Sequence, residues 1–177
     1  MTDAPLVAAH DLRIDVGGAI AIERATFASR GRSVALLGDE HGILAAIAGD
    51  ADIRAGTLSI LGTEVGDGAH LGSNLVGMAA LDPPLPPRWT AREYLVWGSR
   101  LGGADRSTAE RDAAAALTEF GLESAAAQKV ESLSLIERRV LVLAQAVAAR
   151  PAVLVASGPL SGLSGREAAY VASAWAT

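Results

Sequence analysis

The sequence predicts an α/β protein: short parallel core strands joined by helices, with a small antiparallel sheet beside them. Three observations carry that reading. Alternating apolar runs at Leu6–Val16 and Ile20–Phe27 flank Gly17-Gly18, the pattern of a β-hairpin. An apolar run, Ser33–Leu37, meets Gly38 and soon becomes a helical stretch, Ile43–Ala48. A long helical segment, Pro83–Ala149, then separates that run from a second buried apolar run, Ala152–Ala156. Strands separated by helices pair in parallel through crossovers. Ser33–Leu37 and Ala152–Ala156 are therefore expected side by side.

Each element has a local cause. Arg30-Gly31-Arg32 makes the turn into Ser33–Leu37, and Thr57–Leu61, a short strand between Gly56 and Gly62, joins the hairpin sheet. Leu75–Ala80 is another strand. It leads into Asp82-Pro83-Pro84-Leu85-Pro86-Pro87, which must be extended, because proline lacks a donor and disfavours helix in the residue before it. Thr90 with Glu93 three residues on forms a capping box for Ala91–Leu101. Ser107–Phe120 reads as a second helix stopped by Gly121, and Ser134 or a neighbour caps a third, Leu135–Ala149. Gly165–Ala176 is the last helix.

Composition narrows the function classes. The 177 residues are one domain's worth of chain. Half of them are hydrophobic and mean hydropathy is +0.30, which predicts apolar surface buried against another chain. The absence of cysteine excludes disulfides, a thiol nucleophile and a thiolate metal site. A net charge of −5 without a basic run argues against nucleic acid as a partner. Met1-Thr2-Asp3-Ala4-Pro5 lacks a signal pattern, and the longest apolar stretch, Val140–Ala149, is too short to span a bilayer. The expectation is a cytoplasmic chain that reaches a membrane only through a partner.

The chemistry is concentrated, by its absence, in Val34–Gly49. Strand, glycine turn and helix follow as they do in a phosphate-binding loop, G-x-x-x-x-G-K-[ST], where Lys holds the outer phosphates and a hydroxyl holds Mg²⁺. Between Gly38 and Gly49 there is no Lys, Arg, Ser or Thr. Asp39 and Glu40 stand there instead. At an effective dielectric of ~20, a carboxylate ~4 Å from a phosphate oxygen repels it by ~4 kcal/mol per charge pair. Either carboxylate would cap the helix in place of a phosphate; a Glu40-His41 metal pair is the alternative. Lys129 is the only lysine, so a missing lysine alone says little, but no arginine replaces it here.

The order of motifs resembles the ATP-binding subunit of ABC transporters along essentially the whole chain. Ala25-Thr26-Phe27 and Arg30–Gly38 look like the strands entering the phosphate loop, and Ala55–Gly62 like the hairpin after it. Leu81–Leu95 is similar to the Q-loop and the start of the helical subdomain. Leu133-Ser134-Leu135-Ile136-Glu137 falls where the signature LSGGQ belongs, and Ala144–Ser164 looks like Walker B and the D-loop. The resemblance implies a P-loop NTPase-like core, residues 1–82 and 150–177, with a small antiparallel β-subdomain and an inserted helical subdomain, residues 83–149. It also implies a single domain over 1–177, C-terminally truncated relative to the family.

Measured against that pattern, the chain departs at every catalytic position. The phosphate loop is about four residues short of the family spacing. The stacking aromatic falls near Val16, the Q-loop glutamine is Leu81, and the signature glycines are Leu135 and Ile136. The Walker B Asp and catalytic Glu positions are Ser157 and Gly158, and no histidine follows His70. ATP and Mg²⁺ are the cofactors the family implies, but their ligands are missing, so none is expected. Gly38, Gly42 and Ser134 remain as vestiges of the nucleotide site.

Two functions follow as expectations. The first is a catalytically inactive ABC-type ATPase-like subunit, structural or regulatory, in a membrane transporter complex. The alternative is an ATP-binding subunit with weak or composite-site ATPase activity. The expected partners are a membrane-embedded transporter subunit and an active ATPase subunit, with the chain peripheral at the inner face of the cell membrane. In the family the Q-loop and helical subdomain receive a cytoplasmic helix of the membrane subunit. Pro83, Pro84, Arg88, Trp89, Arg92, Tyr94 and Trp97 are the corresponding candidates here. The competing reading is that the aromatics pack the helical subdomain.

Overall fold

The computed structural model describes residues 4–29, 31, 33–36, 40–66, 71–72 and 75–175. The chain forms two compact units, residues 1–71 and 72–177.

The first unit is a four-stranded antiparallel sheet in the order β2-β1-β3-β4, from β1 (Val7–Val16), β2 (Ala19–Ala28), β3 (Asp52–Ile60) and β4 (Thr63–Glu64). Gly17 and Gly18 make the β1–β2 turn, both at positive φ (60° and 89°), as a two-residue hairpin requires. In β1 the buried residues are Val7, Ala9, Leu12 and Ile14, so the alternation skips a beat between Ala9 and Leu12. The pairing shifts at the same place, and Asp11 has φ 44°. One extra residue bulges out and returns Leu12 and Ile14 to the core face. The bulge is tied to β2: the Asp11 N–H donates to Thr26 Oγ1 (2.9 Å), and Arg24 Nε donates to Asp11 Oδ1 (2.8 Å).

Helix α1 (Glu40–Ala48) packs on β1 and β2, burying Ile43, Ala46 and Ile47.

The sequence expectation needs correction in three places here. Residues 33–36 form no strand, and Val34 is 42% exposed. A short apolar run becomes a strand only with a partner to complete its ladder, and nothing within the run names that partner. The expected strand Thr57–Leu61 is the second half of β3, which pairs with β1 from Asp52 onward. The two-residue strand β4 has too little pattern to be read from sequence.

The second unit contains β5 (Val76–Ala79), α2 (Ala91–Leu101), α3 (Arg106–Glu119), α4 (Leu135–Ala148), β6 (Val153–Ala156) and α5 (Gly165–Trp175). β6 pairs in parallel with β5, from Val76↔Val153 to Ala79↔Ala156, so its partner is the strand expected at Leu75–Ala80. The core forms where α2, α3, α4 and α5 meet, with Leu95, Leu117, Val140, Leu141 and Val171 at most 2% exposed. Gly77 lets α4 approach β5, since a Cβ there would run into the Ala146 carbonyl.

Capping follows the sequence closely. Thr90–Glu93 and Ser134–Glu137 are both reciprocal capping boxes. Asp105 caps α3 through the Thr108 N–H (2.8 Å), one residue before the helix opens at Arg106.

Candidate functional site

In the first unit, Gly38 and Asp39 lie outside the described residues, so the capping reading of Asp39 does too. Helix α1 begins at Glu40, and His41 is exposed. Among the described residues, no group of three or more His, Cys, Asp or Glu side chains is arranged to hold a metal. Gly42 has a packing reason to be glycine. A Cβ there would lie 3.0 Å from Ala21 Cβ and 3.2 Å from Ile22 Cγ1, so the missing side chain seats α1 on β2.

The other positions singled out from the sequence fall in the second unit. The Ser157 N–H donates to the Ala79 carbonyl (3.0 Å), extending the β5–β6 ladder. Gly158 follows at φ 47°, where a Cβ would sit 2.9 Å from Ser161 Oγ. The end of β6 therefore presents a hydroxyl and a bare backbone, with no carboxylate at either position.

Ser134 is the N-cap of α4, and its hydrogen bonds are internal. Its Oγ accepts from the Glu137 N–H (3.2 Å), and its hydroxyl and N–H donate to Glu137 Oε2 (2.7 and 2.8 Å). The Ser134 hydroxyl and N–H hold the Glu137 carboxyl below its ordinary value. A negative charge thus already sits at this helix N-terminus, where a phosphate would otherwise be welcome. Ile136 is half-buried against the helical core.

Leu81 and Leu135 meet in a cavity of about 380 Å³, formed by the extended segment Leu81–Pro87 and the first turns of α4. Pro83, Asp82, Glu131 and Arg138 also line it, together with Arg139. The Arg139 side chain is 9% exposed and makes a 3.5 Å ion pair from Nη1 to Asp82 Oδ1.

A second concavity, about 720 Å³, lies on the outer face of α2 and takes in residues of α3. α2 buries Ala91, Tyr94, Leu95, Gly98 and Ser99, which leaves rows 92/96/100 and 93/97/101 facing outward. Trp89 and Trp97 meet edge to face there, with ring centroids 5.6 Å apart, and are 36% and 45% exposed. Leu101, at 67%, extends the apolar strip. Of the charges lining this groove, Arg106 is bound to Glu110 (2.9 Å) and Glu93 to the Thr90 N–H (2.7 Å). Arg92 and Arg100 have no ion-pair partner among the described residues, which leaves the groove net positive.

The structure thus gathers only part of the expected docking set. Trp89, Arg92 and Trp97 share the α2 groove, while Pro83 lines the other cavity. Pro84 and Arg88 are exposed and line neither. Tyr94 is corrected: it is 8% exposed in the helical core, at the edge of the buried face and one turn from Trp97, which is 45% exposed, and burial raises its hydroxyl's pKa. Its spacing from Trp97, three residues, is compatible with a shared face, but Leu95 and Ala91 beside it fix which side is buried. Reasoning from sequence missed Val96, Arg100 and Leu101, which the i, i+4 rows from Arg92 and Glu93 could have found. It also gave Arg139 no role beyond bounding the apolar run that follows it.

With fold and geometry in hand, the comparisons are consistent. The family model for ABC transporters matches residues 29–161, and the chain belongs to that family. It is similar to the Nod factor export ATP-binding protein I of Burkholderia orbicola, 39% identical over 110 residues, 62% of this chain and 36% of that one. It is also similar to the Fe(3+) ions import ATP-binding protein FbpC of Streptomyces coelicolor, 31% identical over 121 residues, 68% of this chain and 34% of that one. The chain thus spans about a third of the length of these curated relatives. Among solved structures it resembles cbiO1 of Clostridium perfringens, part of the ABC transporter complex cbiONQ (TM-score 0.80, 16% identity, 98% of this chain and 73% of that one). The ADP conformation of MJ1267, an ATP-binding cassette of an ABC transporter, is equally similar (TM-score 0.80, 13% identity, 96% and 75%). The fold is the ABC ATPase cassette fold, α/β with an antiparallel sheet and a helical segment.

Proposed function

We propose that this chain is a catalytically inactive ABC-type ATPase-like subunit, a structural or regulatory component of a membrane transporter complex. In this reading residues 1–177 act as one cassette domain, cytoplasmic and held at the inner face of the membrane by a membrane-embedded partner. Among the described residues no helix is long and apolar enough to cross a membrane itself.

The observation that carries the reading is the chemistry at the end of β6 and the start of α4. Ser157 and Gly158 offer no carboxylate to Mg²⁺ or to an attacking water, and Leu81 offers no amide. Ser134 is occupied by Glu137. The residues present at these positions do not fit Mg·ATP. The α2 groove supports the docking half of the proposal: paired exposed tryptophans, with two arginines that have no ion-pair partner among the described residues, suit an acidic, partly apolar segment of a partner.

Family membership favours the second reading, an ATP-binding subunit with weak or composite-site activity, because the relatives are themselves ATP-binding proteins. Titration calorimetry and phosphate release with Mg·ATP separate the two. The inactive reading expects neither binding at physiological concentration nor turnover. Micromolar affinity, or turnover abolished by a substitution beside Gly38, would establish the second. If a motif-complete ATPase partner is added, a composite site would make hydrolysis depend on Ser134.

A further inference from the structure

The wall of the cavity between Leu81–Pro87 and α4 holds a buried cation, Arg139, met by a single long ion pair among the described residues. The Arg139 side chain is 9% exposed, and its Nε and Nη1 have no hydrogen-bond partner among the described residues. Its one ion pair, to Asp82 at 3.5 Å, is longer than a charge-assisted hydrogen bond, and that carboxylate is 79% exposed. A guanidinium cannot shed its proton in a protein, so this charge persists in the cavity wall. Burying it unsatisfied is costly unless something completes it.

The cavity selects the chemistry of that completion. Leu81, Leu85, Val130, Leu135 and Val142 make its walls apolar, and about 380 Å³ is the size of a small-molecule site. Asp82 and Glu131 also line it. Every extra negative charge on a ligand meets both of these, which penalises a dianion such as phosphate more than a single carboxylate. A carboxylate also matches the planar guanidinium fork in a way a point charge does not.

We propose that this cavity binds a monocarboxylate carried on an apolar body, with Arg139 as its counter-ion. The carboxylate belongs to a free aliphatic acid or to an acidic side chain of an apolar protein segment. The cavity shares Leu81, Leu135 and Pro83 with positions read from the sequence, but the carboxylate site and its test require neither nucleotide nor the tryptophan groove.

The test is titration of the full chain, followed by NMR of backbone amides and arginine Nε–H groups. The probes are hexanoate and a blocked leucine–glutamate–leucine tripeptide; hexanol and inorganic phosphate are controls. Saturable binding that moves the Arg139 Nε–H resonance is expected from at least one probe and from neither control. The tighter probe identifies the source: hexanoate a free acid, the tripeptide a protein-borne side chain. Arg139→Lys keeps the charge but loses the fork and should weaken binding about tenfold. Asp82→Asn alters an exposed residue with little risk to folding. It removes a competing carboxylate and should tighten binding about twofold or more. No saturable binding by either probe, equal binding by Arg139→Lys, or weaker binding by Asp82→Asn overturns the proposal.

Discussion

The side-chain amide of Gln145 rests on the bare Cα of Gly98, at the crossing of α4 and α2. A Cβ at Gly98 would overlap the Gln145 amide itself, and the Gln145 Oε1 is buried without a hydrogen-bond partner among the described residues. Glycine costs a helix interior ~1 kcal/mol relative to alanine, so its presence in α2 reflects this contact. Gly98→Ala should therefore destabilise the protein by ~1–3 kcal/mol, through overpacking, despite its better helix propensity. The Gln145→Ala background should relieve most of that penalty. A urea-midpoint double-mutant cycle reads the coupling; simple additivity would mean the two residues do not meet.

Gly56 plays the backbone version of the same part. It sits at φ 73°, and a Cβ there would strike the His10 carbonyl and the Asp11 backbone at the β1 bulge. Unlike Gln145, this neighbour cannot rotate away. Gly56→Ala should cost roughly 3 kcal/mol or more, combining left-handed strain with the clash. A change under about 1 kcal/mol in chemical denaturation would mean that the bulge relaxes freely.

Acid should weaken the fold through its caps. Hydrogen bonds from Thr90 lower the pKa of Glu93, those from Ser134 lower that of Glu137, and those from Ser164 lower that of Glu167. The Thr108 N–H does the same, foremost, for Asp105. A folded pKa below the unfolded one stabilises fully above the unfolded value and is lost as pH falls through the folded value. The urea midpoint should thus fall below about pH 4–5. Glu137→Gln should flatten its share of that slope, and Ser134→Ala should cost ~1 kcal/mol at neutral pH. An unchanged wild-type midpoint between pH 6 and pH 3 would count against the caps.

The docking surface calls for a test on its exposed members. Truncating an aromatic anchor typically costs about 2 kcal/mol or more, roughly thirtyfold in affinity. Trp89→Ala with Trp97→Ala should release the chain from the membrane fraction while circular dichroism stays native. Tyr94→Ala, in contrast, should lower stability by ~3–5 kcal/mol as a core deletion. If the tryptophan double variant stays folded and still co-purifies with its partner, the groove is not the docking site. The face of α5 around Tyr170, 47% exposed, is then next in line.

What could be read from the sequence was what local physics controls. Capping boxes at Thr90 and Ser134 need only residues within one turn, and the Gly17-Gly18 hairpin needs only two neighbouring strands. The extent of α2 and α4 followed from the same rules to within a residue. β3 was read at half its length, because Gly56 looked like an end when it is the cushion for a bulge on another strand.

The sequence by itself determined the α/β class, the order of the helices, and which side chains stand at Leu81, Ser157 and Gly158. Leu81, Ser157 and Gly158 cannot acquire carboxylates or amides by folding. Tertiary structure decided everything that depends on a distant partner: that β6 pairs with β5, and that Tyr94 turns inward while Trp97 turns out. It also decided that Arg139 is enclosed by a proline segment more than fifty residues earlier in the chain. Caps and turns close over a few bonds, so their energy is written in neighbouring residues. Ladders, helix crossings and cavities close over long loops, and their energy belongs to pairs that only the folded chain brings together.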